Sequence, residues 1–220
     1  TTSGALATMN AVLLARAFTG KRIVIKIAGG WHGGHPFALK GIHTYEDGLS
    51  SLESAGLPAC SDSDVVVTTF NDIDDLERVF ETYGSEAACF ITEPMVGSGG
   101  LIFADPAYLR RARELTREHG ALLILDEVIT GFRLHAGPLQ ALYRVTPDLT
   151  VLGKAIGGGM PVAAVAGRED VMSLAAPGVP HGRAVKFDGG TFSGHPTAMM
   201  AGVAFFFYIN EPADEIYPYI

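Results

Sequence analysis

Short apolar runs alternate with amphipathic stretches along most of the chain, and this alternation limits the available folds more than any other feature. The runs occupy residues 21–27, 65–67, 87–91, 121–125, 149–152 and 162–166, and each is short and rich in Val, Ile, Leu or Ala. Between or before them lie helical patterns. Met9, Val12, Leu13 and Arg16 share one helical face behind Ser3, and Gly20 stops that helix. Asp72 can cap a helix whose inner face is Leu76, Val79 and Phe80. Pro106 suits the first turn of a helix running to His119, with Gly120 as its stop. Further helices are expected over 170–174 and 196–208. Strands joined by helices imply crossover connections, hence a mostly parallel sheet with helices on both faces. No internal repeat or linker divides the chain, so one α/β domain over 1–220 is expected. Both ends read as cut from something longer. The weakly periodic stretch 31–64 is longer than ordinary connections, which marks it as functional or mobile.

In such sheets ligands gather at the carboxyl ends of the strands. Three polar groups fall there: Glu93, Asp126 and Lys154. Any one of them alone could be a solvated loop charge, but three at the ends of successive strands point to a site. Lys154 lies between Gly153 and Gly157-Gly158-Gly159, whose small size lets a planar group approach the backbone. A lysine desolvated in such a pocket becomes a nucleophile toward aldehydes. A phosphate-binding Walker loop is excluded, because Asp148 occupies the required glycine position and Ala155 the required hydroxyl. Without that partner, 121–127 is a weak magnesium-binding strand. Its Asp126 can instead pair with a cationic ring nitrogen. His32 and His35, with Glu46 and Asp47 as nearby acids, lack metal-site spacing. There is no G-x-S-x-G elbow and no G-x-G-x-x-G fingerprint. A net charge of −8 argues against a general nucleic-acid or anionic-membrane partner. No apolar run reaches membrane-spanning length. The two cysteines, Cys60 and Cys89, make no disulfide framework and point to a reducing cytoplasm.

Asp126-Glu127-Val128-Ile129-Thr130-Gly131-Phe132-Arg133, then Thr146-Pro147-Asp148-Leu149 and the run from Leu152 to Pro161, resemble the signature of class III aminotransferases. Trp31-His32-Gly33, Glu93-Pro94 and Gly190-Thr191-Phe192-Ser193-Gly194 extend the resemblance over nearly the whole chain, in order. Within the class, Thr130 to Arg133 most resembles the glutamate-1-semialdehyde aminomutases and their aminotransferase relatives. The resemblance implies a fold type I large domain, a homodimer, and pyridoxal 5′-phosphate (PLP) as cofactor. It implies catalytic roles for Lys154, as the Schiff-base lysine and general base, and for Asp126, as partner of the pyridine nitrogen. It places Trp31 and Val128 on opposite ring faces and Ser3-Gly4-Ala5 on the phosphate. Its cofactor-binding set also includes His32, Glu93, Ser98 and Gly190, with Thr191 reaching the phosphate of the partner subunit. Arg133 and Arg168 are candidates for a substrate carboxylate. Four positions depart from the family pattern: Ala5 lacks a hydroxyl, Leu6 replaces glutamate, Ser98 replaces the aminomutase amide, and His195 replaces asparagine. The expected activity is amino transfer between an amino acid or amine and a keto or aldehyde acceptor. The alternatives are an intramolecular aminomutase and a cofactor-binding fragment without activity.

Overall fold

All six apolar runs form strands of a single sheet in the computed structural model, which describes residues 1–43, 48, 51–186, 190–210 and 213–217. In chain order the strands are β1 (Ile23–Ile27), β2 (Val65–Thr68), β3 (Ala87–Thr92), β4 (Met95–Val96), β5 (Ile102–Phe103), β6 (Leu122–Glu127), β7 (Leu149–Leu152) and β8 (Ala164–Gly167). The helices are α1 (Gly4–Thr19), α2 (Cys60–Ser63), α3 (Ile73–Tyr83), α4 (Pro106–Glu118), α5 (Gln140–Tyr143), α6 (Glu169–Met172), α7 (Pro196–Asn210) and α8 (Ala213–Ile216). The main sheet runs β2-β1-β3-β6-β7-β8. It is parallel except for β8, which lies antiparallel to β7.

Alternation along the strands divides the core in two. Ile23, Ile25, Ile27, Phe90, Leu123 and Leu125 pack with Leu76 and Phe80 of α3 and Tyr108 and Leu109 of α4. Val24, Cys89, Ile91, Leu122, Ile124 and Val151 face Ala7, Ala11, Leu14 and Ala15 of α1. Each fully buried aliphatic side chain contributes about 1.5–3 kcal/mol, so losing either helix layer would expose the sheet. The expected caps form. Ser3 Oγ accepts from the Leu6 N–H, Asp72 accepts from the Asp75 N–H, and Gly20 ends α1 in the left-handed region at φ 69°.

Four details differ from the sequence expectation. Asp126 and Glu127 belong to β6 itself, because Glu127 pairs with Leu152 across the sheet. Residues 65–68 form an edge strand whose Val66 and Val67 are only half-buried, since β1 alone pairs with it. The β4–β5 hairpin is too short to show a period. Among the described residues of 31–64, a bridge from Lys40 to Leu52 and the turn of α2 form structure that the weak periodicity did not announce. The acids Glu46 and Asp47 lie outside the described residues.

The fold sets one edge apart. β3, β6 and β7 all end there, and α1 runs the opposite way. Gly4, at its start, lies against Val128 just past β6, and Arg16, near its end, pairs with Asp64 just before β2 at 3.7 Å. The N-terminus of α1 therefore opens where the parallel strands finish.

Candidate functional site

At that edge lies a cavity of about 370 Å³, within the range of small-molecule sites. Its wall includes Ser3, Gly4, Ala5, Trp31, His32, Glu93, Asp126, Val128 and Lys154. Nine residues expected from sequence thus meet around one space. Gly33, Ile129, Met160 and Pro161, quoted above as motif residues without a site role, and Val162 complete much of the lining.

The first turn of α1 supplies one end of the site. Gly4 and Ala5 have no carbonyl four residues back in the helix, and Ser3 caps only Leu6. Free N–H groups at the positive end of a 16-residue helix form an anion site. A methyl carbon on Gly4 would lie 2.8 Å from Val128 Cγ1, so only glycine lets the helix start this close to β6. Gly33, at φ 104°, approaches the Ala5 backbone in the same way.

Asp126 sits opposite, buried at 4% exposure. Its Oδ1 accepts from the Val128 N–H at 3.1 Å, and its Oδ2 lies 2.8 Å from His32 Nδ1. These bonds fix the plane of the carboxylate. The buried His32 Nε2 has no described partner. Behind it, His35 Nε2 lies 3.1 Å from Thr8 Oγ1, and the Thr8 hydroxyl also donates to the His32 carbonyl. Burial, followed by the proximity of His32, lowers His35 from 6.5 to about 4. His32 and His35 are thus engaged in a network that braces Asp126. Thr8 was missed, and His35 was weighed only as a metal ligand, because their role depends on α1 packing against the 31–38 turn.

Glu93 follows β3 and is 2% exposed. Its two oxygens accept from the Trp31 and Gly97 N–H groups at 3.0 and 3.1 Å. Burial raises its carboxyl above the usual range, partly opposed by His32. Glu127 plays a different part. It accepts from the Thr130 hydroxyl and from the Leu139 and Gln140 N–H groups, holding the turn after β6 shut.

Lys154 begins the turn after β7. Sequence reasoning expected a desolvated amine; the residue is instead exposed at the cavity wall. Its φ of 43° lies in the left-handed region, which costs a non-glycine residue roughly 1–3 kcal/mol. The following turn seats against α7, where a Cβ on Gly158 would meet the Ala201 carbonyl at 2.7 Å.

Three expected cofactor contacts do not line this cavity. Ser98 is exposed in the turn between β4 and β5, and Gly190 and Thr191 are exposed ahead of α7. Arg168 is occupied elsewhere, bonded to Asp148 at 2.8 Å and to Asp170 through Nε and Nη2. Arg133 donates from Nε to the carbonyl of Ile129, a cavity residue. Among the described residues no helix is long and apolar enough to cross a membrane.

The family described as Aminotransferase class-III matches residues 1–214. A glutamate-1-semialdehyde 2,1-aminomutase from Caldivirga maquilingensis is 43% identical over 202 residues, covering 92% of this chain and 46% of that protein. An omega-transaminase from Sphaerobacter thermophilus matches with a TM-score of 0.88 and 41% identity, covering 95% of this chain and 48% of its own. A structure described as a transaminase with PLP bound matches at 0.89 and 32% identity, over 98% and 50%. The chain spans about half the length of these relatives. With the family matched from the first residue to residue 214, the chain belongs to the class III aminotransferases.

Proposed function

We propose that this chain is a PLP-binding large domain, and that the protein moves an amino group between an amino acid or amine and a keto or aldehyde acceptor. One observation carries the reading: a helix N-terminus, a buried carboxylate and a lysine converge on one cavity. The donor set fits the cofactor. The free N–H groups of α1 suit its phosphate, Asp126 suits its cationic ring nitrogen, and Trp31 and Val128 offer the walls for a flat ring. When bound, PLP supplies an electron sink for the charge that develops on the substrate carbon.

The residues of the chain hold, orient and move protons. The Lys154 amine anchors the cofactor. With PLP bound, the Lys154 Nζ would serve as the general base that carries the proton away from the substrate α-carbon. Asp126 stabilises positive charge on the ring nitrogen, and His32 keeps its carboxylate facing the cavity. Glu93 holds the backbone on either side of the site through Trp31 and Gly97. Ile129, Met160 and Val162 give the lining apolar groups that exclude water.

The test is an absorbance spectrum of the protein mixed with PLP, before and after a panel of amines. A visible band that changes with a subset of amines is expected for the parent protein, with no such band for Lys154→Ala. A parent spectrum equal to that of free cofactor would remove the reading. It would favour a fragment that lacks activity, for which the hydrophobic Ala5-Leu6 pair at the anion site is the motive. The aminomutase reading has support in the 43% identity to a glutamate-1-semialdehyde aminomutase. Turnover without any added keto acid distinguishes it.

A homodimer is part of the proposal. Thr191 lies exposed and away from its own chain's cavity, free to reach a partner's phosphate. Sedimentation of the cofactor-bound protein as a monomer would count against this. Residence in the cytoplasm is supported by the free thiols of Cys60 and Cys89.

A further inference from the structure

The peptide unit between Gly30 and Trp31 is gripped at both ends by buried charged side chains. Its carbonyl accepts from Lys26 Nζ at 3.2 Å, and its N–H donates to Glu93 Oε1 at 3.0 Å. Lys26 is the fourth of the five residues of β1 and is 0% exposed, an unusual place for an ammonium group. Its Nζ also donates to the Lys40 carbonyl at 2.6 Å, so one amine ties together two points of the long connection after β1. Burial lowers Lys26 from 10.5 to about 8, while the carboxylates of Glu53 and Glu93 pull the other way. The turn has no slack, because a Cβ on Gly30 would lie 2.6 Å from Ile27 Cγ1. The buried amine is therefore explained by what it holds.

We propose that Lys26 and Glu93 are positioning residues that clamp the Gly30–Trp31 peptide from opposite ends and so fix Trp31 as the aromatic wall of the cavity. The direction of the peptide sets the direction of the Trp31 Cα–Cβ bond. Trp31 itself is 44% exposed and gains little fixity from burial. Loosening either end lets the indole swing away from the cavity without unfolding the sheet. The use of this wall to cover a ring rests on the cofactor reading; the clamp itself does not.

Trp31 is the sole tryptophan of the chain, so its fluorescence reports the clamp directly. The full chain is examined first without added cofactor, which keeps failure of the clamp distinct from failure of PLP binding. Lys26→Met and Glu93→Leu should each raise the acrylamide quenching constant of Trp31 and shift its emission to the red. The double variant should show less than the sum of the two, because both act on one peptide. Leu76→Ala, a core truncation under α3, should lower stability yet leave Trp31 as in the parent. Unchanged quenching in a folded Lys26→Met, or an equal change in Leu76→Ala, overturns the proposal. If Lys26→Met does not fold, Glu93→Leu, which has no acceptor for the Trp31 N–H, decides alone: parent-like quenching there overturns the clamp, and increased quenching supports it. With PLP added, the same variants should bind it more weakly.

Discussion

Asp126 is the residue on which the electronic side of the account depends. Its two oxygens are directed by Val128 and His32, so an amide in its place can keep much of that geometry while losing the charge. Asp126→Asn is expected to retain PLP but turn over at least about ten-fold more slowly, since a charge-assisted hydrogen bond is worth about 1.5–3 kcal/mol and each 1.4 kcal/mol is ten-fold in rate. Steady-state rates with cofactor content measured in parallel check this; near-parent turnover would count against the role. His35, one layer behind, leaves a different signature. Its folded value of about 4 lies below its ordinary 6.5, so as pH falls the unfolded chain binds the proton first. The stability due to neutral His35 is complete above about 6.5 and is lost as pH falls toward 4, on the order of 3 kcal/mol. Glu93 and Glu127, raised by burial, act in the opposite direction at acid pH. The informative quantity is therefore the difference between parent and His35→Gln in urea-unfolding free energy across pH 4 to 6.5. The variant should show the flatter acid loss; parallel curves would contradict the assignment.

At the scale of elements, the site exists because α1 starts where β6 ends and the 31–38 turn folds over that start. Gly33 makes this approach possible, with φ 104° and a missing Cβ that would meet Ala5 Cα at 2.5 Å. Gly33→Ala combines backbone strain with a close contact and should destabilise the chain by about 1–3 kcal/mol. It should also weaken the protection that inorganic phosphate gives against thermal unfolding, by lifting the turn off the helix N-terminus. A parent-like melting temperature and phosphate response would refute this picture of the contact. Much of this level was legible in the sequence, because caps and stops are local chemistry. Ser3, Asp72, Pro106 and Gly20 each announce a boundary through their own side chain or its absence. Asp126 and Lys154 were legible for a related reason, as polar groups that follow apolar runs in a parallel-sheet pattern. The supports were not. His35 with Thr8, and Lys26 with the Gly30 carbonyl, join residues whose proximity comes from packing rather than spacing. Lys26 reads only as part of the apolar run 21–27, and nothing local shows that its amine turns inward to loop carbonyls. The exposure of Lys154 was also hidden, since glycine neighbours permit a pocket without showing how far it closes.

For the whole molecule, the distribution of its five lysines makes the central claim sharp. Lys26 is buried on the Gly30 and Lys40 carbonyls. Lys40 holds the carbonyls of Asp62 and Val65, and Lys21 bonds the carbonyl of His119 at the far end of the sheet. Lys186 lies beside a separate surface hollow lined by residues of 175–186. Lys154 is the one lysine on the wall shared by Asp126 and the N-terminus of α1. The most direct measurement is borohydride reduction of the protein mixed with PLP, followed by peptide mass spectrometry. The pyridoxyl mass is expected on the peptide containing Lys154 and absent from the same peptide in Lys154→Ala. Its appearance in the parent protein on Lys21, Lys26, Lys40 or Lys186, with Lys154 unlabelled, would contradict the account.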